Sequence, residues 1–263
     1  MKRAWLDKSM KNQIGYYSLG KAGRPNEDRY RMLGGGILPK PKINVKVKNE
    51  TSKPPPDEYT GFKDSGRGEI YAVLDGVGSA PMGMQAAQHI ADQLMNFYTT
   101  DIPATISGLE SLLKQINQSI VEWGATDDQR SLGASTLTLA WLFNQQFHLF
   151  HVGDSTGFLM NSSGFMKVTQ PHENDYGLYR YMGQRDDFCL DIKSYSLKSD
   201  DIICLVTDGI TKGLRNHEIQ KVLKDYAGEP HLAARQLVET AKQRKVQDDI
   251  TALVIDVDLN TDV

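Results

Sequence analysis

Residues 135–169 read STLTLAWLFNQQFHLFHVGDSTGFLMNSSGFMKVT, and the architecture turns on them. The stretch holds four apolar runs rich in strand formers: STLTLAWLF, QFHLFHVGDS, TGFLM and GFMKVT. Turn signals at NQQ and NSSG separate them, so the piece predicts consecutive strands rather than strands alternating with helices. Upstream, EIYAVLDG (69–76) is a further compact strand closed by an Asp-Gly turn. Two helices are expected between it and the opening stretch. Ala87, Ile90, Ala91, Leu94, Phe97 and Tyr98 share one helical face, and Leu109, Leu112, Leu113, Ile116, Ile120 and Trp123 share another. Nearer the start, QIGYYSLG and DRYRML read as short strands separated by the polar turn KAGRPNE. Downstream, the polar stretch QPHENDYGLYRYMGQRDD leads to SYSLKSDDIICLVTDG, in which a turn precedes a buried strand. Two helical patterns follow, carried by Ile219, Val222, Leu223 and Tyr226 and then by Leu232, Ala233, Leu237 and Ala241, before a last strand ITALVIDVDL. Regular strand–helix alternation is missing, which disfavours a doubly wound parallel sheet. It favours an α+β fold with largely antiparallel sheets.

Residues 34–69 break the pattern. GGG, PKP, KINVKVKNETSKPPP and DSGRG concentrate Gly, Pro and Lys there, as expected of an extended loop or loose hairpin inserted in one domain spanning 1–263. KINVKVK (42–48) alternates apolar and basic residues and is expected as an exposed edge strand. Such an insertion reads either as plain surface or as a basic arm for docking a partner.

Composition narrows the function classes. The 263 residues carry 30 Lys and Arg against 33 Asp and Glu, for a net charge of −3, so no overall basic excess points to nucleic acid or an anionic membrane. No run approaches the ~18 apolar residues of a membrane helix, and a soluble cytoplasmic protein is expected. The two cysteines, Cys189 and Cys204, form no CxxC pair and are expected as core thiols.

Carboxylates stand at the lips of apolar strands in four places: Glu27 and Asp28 before RYRML, Asp75 after YAVL, Asp208 after IICLVT, and Asp248 with Asp249 before ITALVIDV. Asp-Gly after one strand is ordinary turn chemistry. Four such ends brought together would repel one another unless cations neutralised them, and oxygen-only ligands select Mg²⁺ or Mn²⁺ over zinc. Paired divalent ions are the usual means of activating a water for attack at phosphorus.

In this order, RPNED, VLDGVGSA, LGASTLTLAWL, HVGDS, LVTDGI and QDDIT cover most of the chain. Together they resemble the metal-dependent Ser/Thr protein phosphatases of the type 2C (PPM) class, in a bacterial form. The resemblance implies a four-layer α-β-β-α sandwich, two antiparallel sheets flanked by helix pairs, with two Mn²⁺ or Mg²⁺ ions, or three, at one end. It implies that Asp75 bridges both metals, that Gly76 lends its carbonyl, and that Asp208 and Asp248 complete the first site. Glu27 would hold the second metal, and Asp28 would support from behind. Asp249 takes the place usually filled by Asn. Asp154 would be a supporting or third-metal ligand, with Asp128 a further third-site candidate. The implied activity is hydrolysis of phosphoserine and phosphothreonine in a protein substrate, a Ser/Thr kinase or its target, by a monomer. A catalytically weak module that binds a kinase or phosphoprotein partner is the alternative.

Departures from the family pattern are specific. Where a phosphate-clamping arginine is usual, four residues before Glu27, this chain has Gly23, and Arg24 is the nearest replacement, with Arg180 next. Between His172 and Gly183 the flap is cut to the stub HENDYGLYRYMG. A G-x-S-x-G match at Gly153, Ser155 and Gly157 has the spacing of a hydrolase nucleophile, but FLMNSSGFMKV reads as a hairpin where that chemistry needs a helix.

Overall fold

The computed structural model describes residues 12–21, 25–34, 59–61 and 66–259. Arg24 and KINVKVK, with most of the 34–69 insertion, lie outside the described residues.

In chain order the elements are β1 (Gln13–Leu19), β2 (Asp28–Gly34), β3 (Tyr59–Gly61), β4 (Glu69–Asp75), α1 (Gly83–Gln93), α2 (Asn96–Thr99) and α3 (Ile106–Val121). Then come β5 (Leu137–Phe143), β6 (Gln146–Val152), β7 (Thr156–Asn161), β8 (Gly164–Lys167), the short pair β9 (Glu173–Asn174) and β10 (Gly177–Leu178), β11 (Asp191–Ser196) and β12 (Ile202–Val206). The chain closes with α4 (Asp208–Gly213), α5 (Asn216–Asp225), α6 (Pro230–Gln243) and β13 (Ile250–Asp256).

The strands build a five-stranded sheet, β1-β13-β12-β7-β8, and a six-stranded sheet, β11-β6-β5-β4-β2-β3. Pairing is antiparallel except at the edge, where β3 runs parallel to β2. Period-two alternation divides the apolar residues among three packed layers. In β5, Leu137, Leu139 and Trp141 face the α1–α3 side with Ile90, Leu109, Leu113 and Ile116, while Ala140 and Leu142 face the other sheet. In β13, Leu253 and Ile255 point into the inter-sheet layer, while Ala252 and Val254 pack with Leu237 and Val238 of α6. Helices outside, two sheets inside and apolar material between every pair of layers make the α-β-β-α sandwich.

Several local expectations are revised. The helical pattern from Ala87 to Tyr98 is split: Met95 N–H bonds Asp92 O at 3.2 Å, an i→i−3 bond that tightens the end of α1 before α2 begins. β1 and β2, to which the sequence assigned no partners, belong to different sheets. Asp208-Gly209 does not make a plain turn but opens α4, where an acidic residue in the first turn suits the helix dipole. Of the two expected core thiols, Cys204 is buried in β12, but Cys189 is exposed in the irregular segment before β11. Among the described residues no helix is long and apolar enough to cross a membrane.

Candidate active site

Sheet register gathers the carboxylates. The antiparallel pairing of β2 with β4 sets Asp28 directly opposite Asp75. In the other sheet, the end of β12 meets the start of β13, Thr207 N–H bonds Thr251 O at 3.1 Å, and Asp208 is thereby laid beside Asp248 and Asp249. Gly209 makes this approach possible: a Cβ there would stand 2.1 Å from the Asp249 carbonyl oxygen. Asp28 ties the two lips together across the sandwich, its Oδ2 accepting from Thr207 Oγ1 at 2.9 Å and Thr251 Oγ1 at 2.6 Å.

The supports around Asp75 are equally specific. Its N–H donates to Thr136 Oγ1 at 3.0 Å, and its carbonyl accepts from Thr136 N–H at 2.8 Å and Ser135 Oγ at 3.0 Å. Gly76 N–H reaches the Glu27 carbonyl at 3.3 Å. Asp154 follows Gly153, whose φ of +107° suits glycine and whose Cβ would meet the Thr136 side chain at 2.6 Å. His172 clasps that turn from both sides. Its Nδ1 accepts from Gly153 N–H at 3.1 Å, and its backbone N–H donates to Gly153 O at 2.8 Å.

The charges do not balance locally. Burial, then the charges of Asp28, Asp208, Asp154 and Asp248, hold the Asp75 carboxyl well above the usual carboxylate range. Burial, against the Thr251 hydrogen bond but with the charge of Asp249, pushes Asp28 up to about 8. Burial, then Asp208 and Glu173, pushes Asp154 to about 7. Asp208 is raised by burial, and Lys212 acts against that shift. One buried oxygen each of Asp28, Asp154 and Asp208 has no hydrogen-bond partner among the described residues. Buried, mutually repelling carboxylates with unengaged oxygens fit hard divalent cations. As placed, no three His, Cys, Asp or Glu side chains among the described residues form a finished ligand set.

The protein phosphatase 2C family model matches residues 48–253, most of the chain. The chain belongs to the protein phosphatase 2C family. Among curated proteins it is 24% identical over 269 residues to the "Probable protein phosphatase 2C 41" of Oryza sativa subsp. japonica, covering 84% of this chain and 90% of that one. It is 21% identical over 224 residues to the "Serine/threonine phosphatase stp" of Listeria monocytogenes, covering 75% and 88%. Among solved structures, the catalytic domain of the phosphatase PstP, described as a complex with 2 manganese ions, superposes with a TM-score of 0.72 at 17% identity, covering 95% of this chain and 99% of that one. This likeness carries the fold.

Within this phosphatase the structure brings together Asp28, Asp75, Asp154, Asp208 and Asp248, with Glu27 and Gly76 joined through their backbones. Asp249 has a defined task. Its two carboxylate oxygens accept from Lys21 N–H at 2.5 Å and Glu27 N–H at 2.6 Å, pinning the loop that carries Glu27. Asp128 is not brought in: it lies in an exposed turn, paired with Arg130 and Thr126, and those bonds hold its carboxyl low, at about 2. Arg180 is also committed elsewhere, to Asp191 Oδ1 at 3.0 Å and Cys189 O at 2.7 Å, so it is not poised as the alternative clamp. The stub forms the β9–β10 hairpin with Tyr176 at its exposed tip. Ser155 is buried and bonded to Thr136 Oγ1 at 2.8 Å, and the segment after it is a hairpin, which removes the nucleophile reading.

Several participants escaped the sequence reading, Thr207, Thr251 and Lys212 among them. Thr207 and Thr251 each stand beside a carboxylate motif, but their shared partner, Asp28, is 179 and 223 residues away. Lys212 ion-pairs with Asp208 and, at 2.7 Å, with Asp248. Its i,i+4 spacing from Asp208 would have been a signal had α4 been read as a helix.

Proposed function

We propose that this phosphatase hydrolyses phosphoserine and phosphothreonine in protein substrates with two Mn²⁺ or Mg²⁺ ions. The observation that carries the reading is the cluster of buried carboxylates at one end of the sandwich, whose repulsion and unengaged oxygens fit cations. The name of the Listeria relative and the manganese complex of PstP support it. Asp208 and Asp248 would hold one ion and Glu27 a second, with Asp75 serving both and the Gly76 carbonyl lending a further oxygen. Asp154 would serve a third. Bound there, the ions supply positive charge that acidifies a water nucleophile and offsets charge on the phosphoryl oxygens.

The chain's own residues preorganise this site. Asp28 holds Thr207 and Thr251, so the β2–β4 lip keeps its place against the β12–β13 lip. Asp249 anchors Glu27 by its backbone, and Thr136 grips Asp75 by its own. A geometry this well supported lets the aspartates stay close despite repulsion.

The test is hydrolysis of a phosphothreonine peptide by the full chain, with Mn²⁺, Mg²⁺ or chelator. Metal-dependent turnover is expected, reduced at least about a hundredfold in Asp208→Asn. Turnover that persists in chelator, or that equals the variant's, would overturn the proposal.

A further inference from the structure

The geometry points to Lys212 as a tethered cation that competes with the divalent ions for Asp208 and Asp248, so that ion binding requires its displacement. This inference rests on the metal-dependent reading above and concerns a side chain to which that reading gives no role.

Lys212 stands one helical turn after Asp208 on α4, on the same face. Its Nζ contacts Asp208 Oδ2 and lies 2.7 Å from Asp248 Oδ2. These carboxylates come from different elements, α4 and the segment leading into β13, so one ammonium bridges two of the proposed ligands on the β12–β13 lip. The other oxygen of Asp208 is buried without a hydrogen-bond partner among the described residues. Lys212 therefore satisfies one side of Asp208 and leaves the other open.

The two partners differ in how they are held. The Asp208 side chain is 15% exposed, whereas the Lys212 side chain is 53% exposed at the end of a flexible stem. Lys212 can swing into water by rotating its own side chain, while Asp208 is fixed by α4 and by the close contact of Gly209 with the Asp249 backbone. A divalent ion brings twice the charge of the ammonium to the same oxygens. It wins at sufficient concentration, with an apparent affinity lowered by the fraction of molecules in which Lys212 is engaged. Lys212 thus sets the ion concentration at which the site fills.

The experiment is calorimetric titration of Mn²⁺ into the full chain, comparing wild type with Lys212→Gln and Lys212→Arg. Gln is expected to bind Mn²⁺ about tenfold more tightly, the scale of two partly exposed ion pairs, and Arg to stay near wild type. In chelator, Gln should unfold at lower temperature than wild type, and its Tm should rise more on adding Mn²⁺. A second measurement uses the unaltered protein: the NMR resonances of the Lys212 side chain should move to solvent-exposed values as Mg²⁺ is added. Unchanged or weaker Mn²⁺ binding by folded Lys212→Gln, or a Lys212 signal indifferent to Mg²⁺, would overturn the inference. Failure of folded wild type and variants alike to bind Mn²⁺ would instead overturn the metal-dependent reading on which it rests.

Discussion

Replacing Asp28 with Asn separates the structural task of this residue from its electrostatic cost. Oδ2 accepts from the hydroxyls of Thr207 and Thr251, and the carbonyl oxygen of Asn can accept both bonds. What the substitution removes is a carboxylate that is fully buried and directly opposite Asp75. The folded-state pKa of Asp28 lies near 8 against an ordinary value of 3.8. The folded protein therefore keeps this proton where the unfolded chain has lost it. Stability from this group is complete below about 3.8 and declines as pH rises from there to about 8. Four pKa units at ~1.36 kcal/mol each set a ceiling of about 6 kcal/mol. In chelator, the stability of Asp28→Asn relative to wild type should rise by about 2–4 kcal/mol between pH 5 and pH 8, an interval over which the wild-type unfolded chain has lost the Asp28 proton while the folded protein still holds it. Saturating Mn²⁺ should shrink that rise by neutralising the cluster. Urea denaturation at both pH values, with equal m-values, measures this. An Asn variant whose stability relative to wild type is the same at both pH values, or falls between pH 5 and pH 8, would refute the reasoning.

Two further substitutions probe how the site is held. Asp249→Asn leaves one acceptor where the backbone N–H groups of Lys21 and Glu27 need two; a stability loss of about 1–3 kcal/mol, with weaker Mn²⁺ binding by calorimetry, is expected although Asn is the family's usual residue there. Gly209→Ala drives a methyl into the Asp249 carbonyl, and should cost about 1–3 kcal/mol in denaturant melts while lowering phosphopeptide turnover more than a matched change remote from the site.

Much of the architecture is local in origin and so could be read in one dimension. Alternation in STLTLAWLF assigns Leu137, Leu139 and Trp141 to one face and Ala140 and Leu142 to the other, and the three apolar layers use that division. The helices on Ile90 and Leu113, and on Ile219 and Leu237, follow from 3.6-residue spacing. Carboxylates at strand ends were visible as such, because chain direction alone puts the ends of antiparallel neighbours at common edges. The misreadings were of environment. Cys189 sits in the apolar triplet Phe188–Leu190, and the charged run QRDD just before it was the signal that its segment is exposed. Asp128 lies close to LGAST in sequence, but Arg130, two residues on, turns it into a surface ion pair.

By itself, then, the sequence determined the element order, the faces each strand buries and the family to which its motifs belong, because those depend on periodicity and short spacings. Only the tertiary structure decided that Asp28 crosses the sandwich to two threonines, that Asp249 serves the loop carrying Glu27, and that Lys212 sits between Asp208 and Asp248. Most of those contacts join residues more than thirty positions apart on different elements. Their existence depends on sheet register and packing distance, and no local pattern in the chain encodes either.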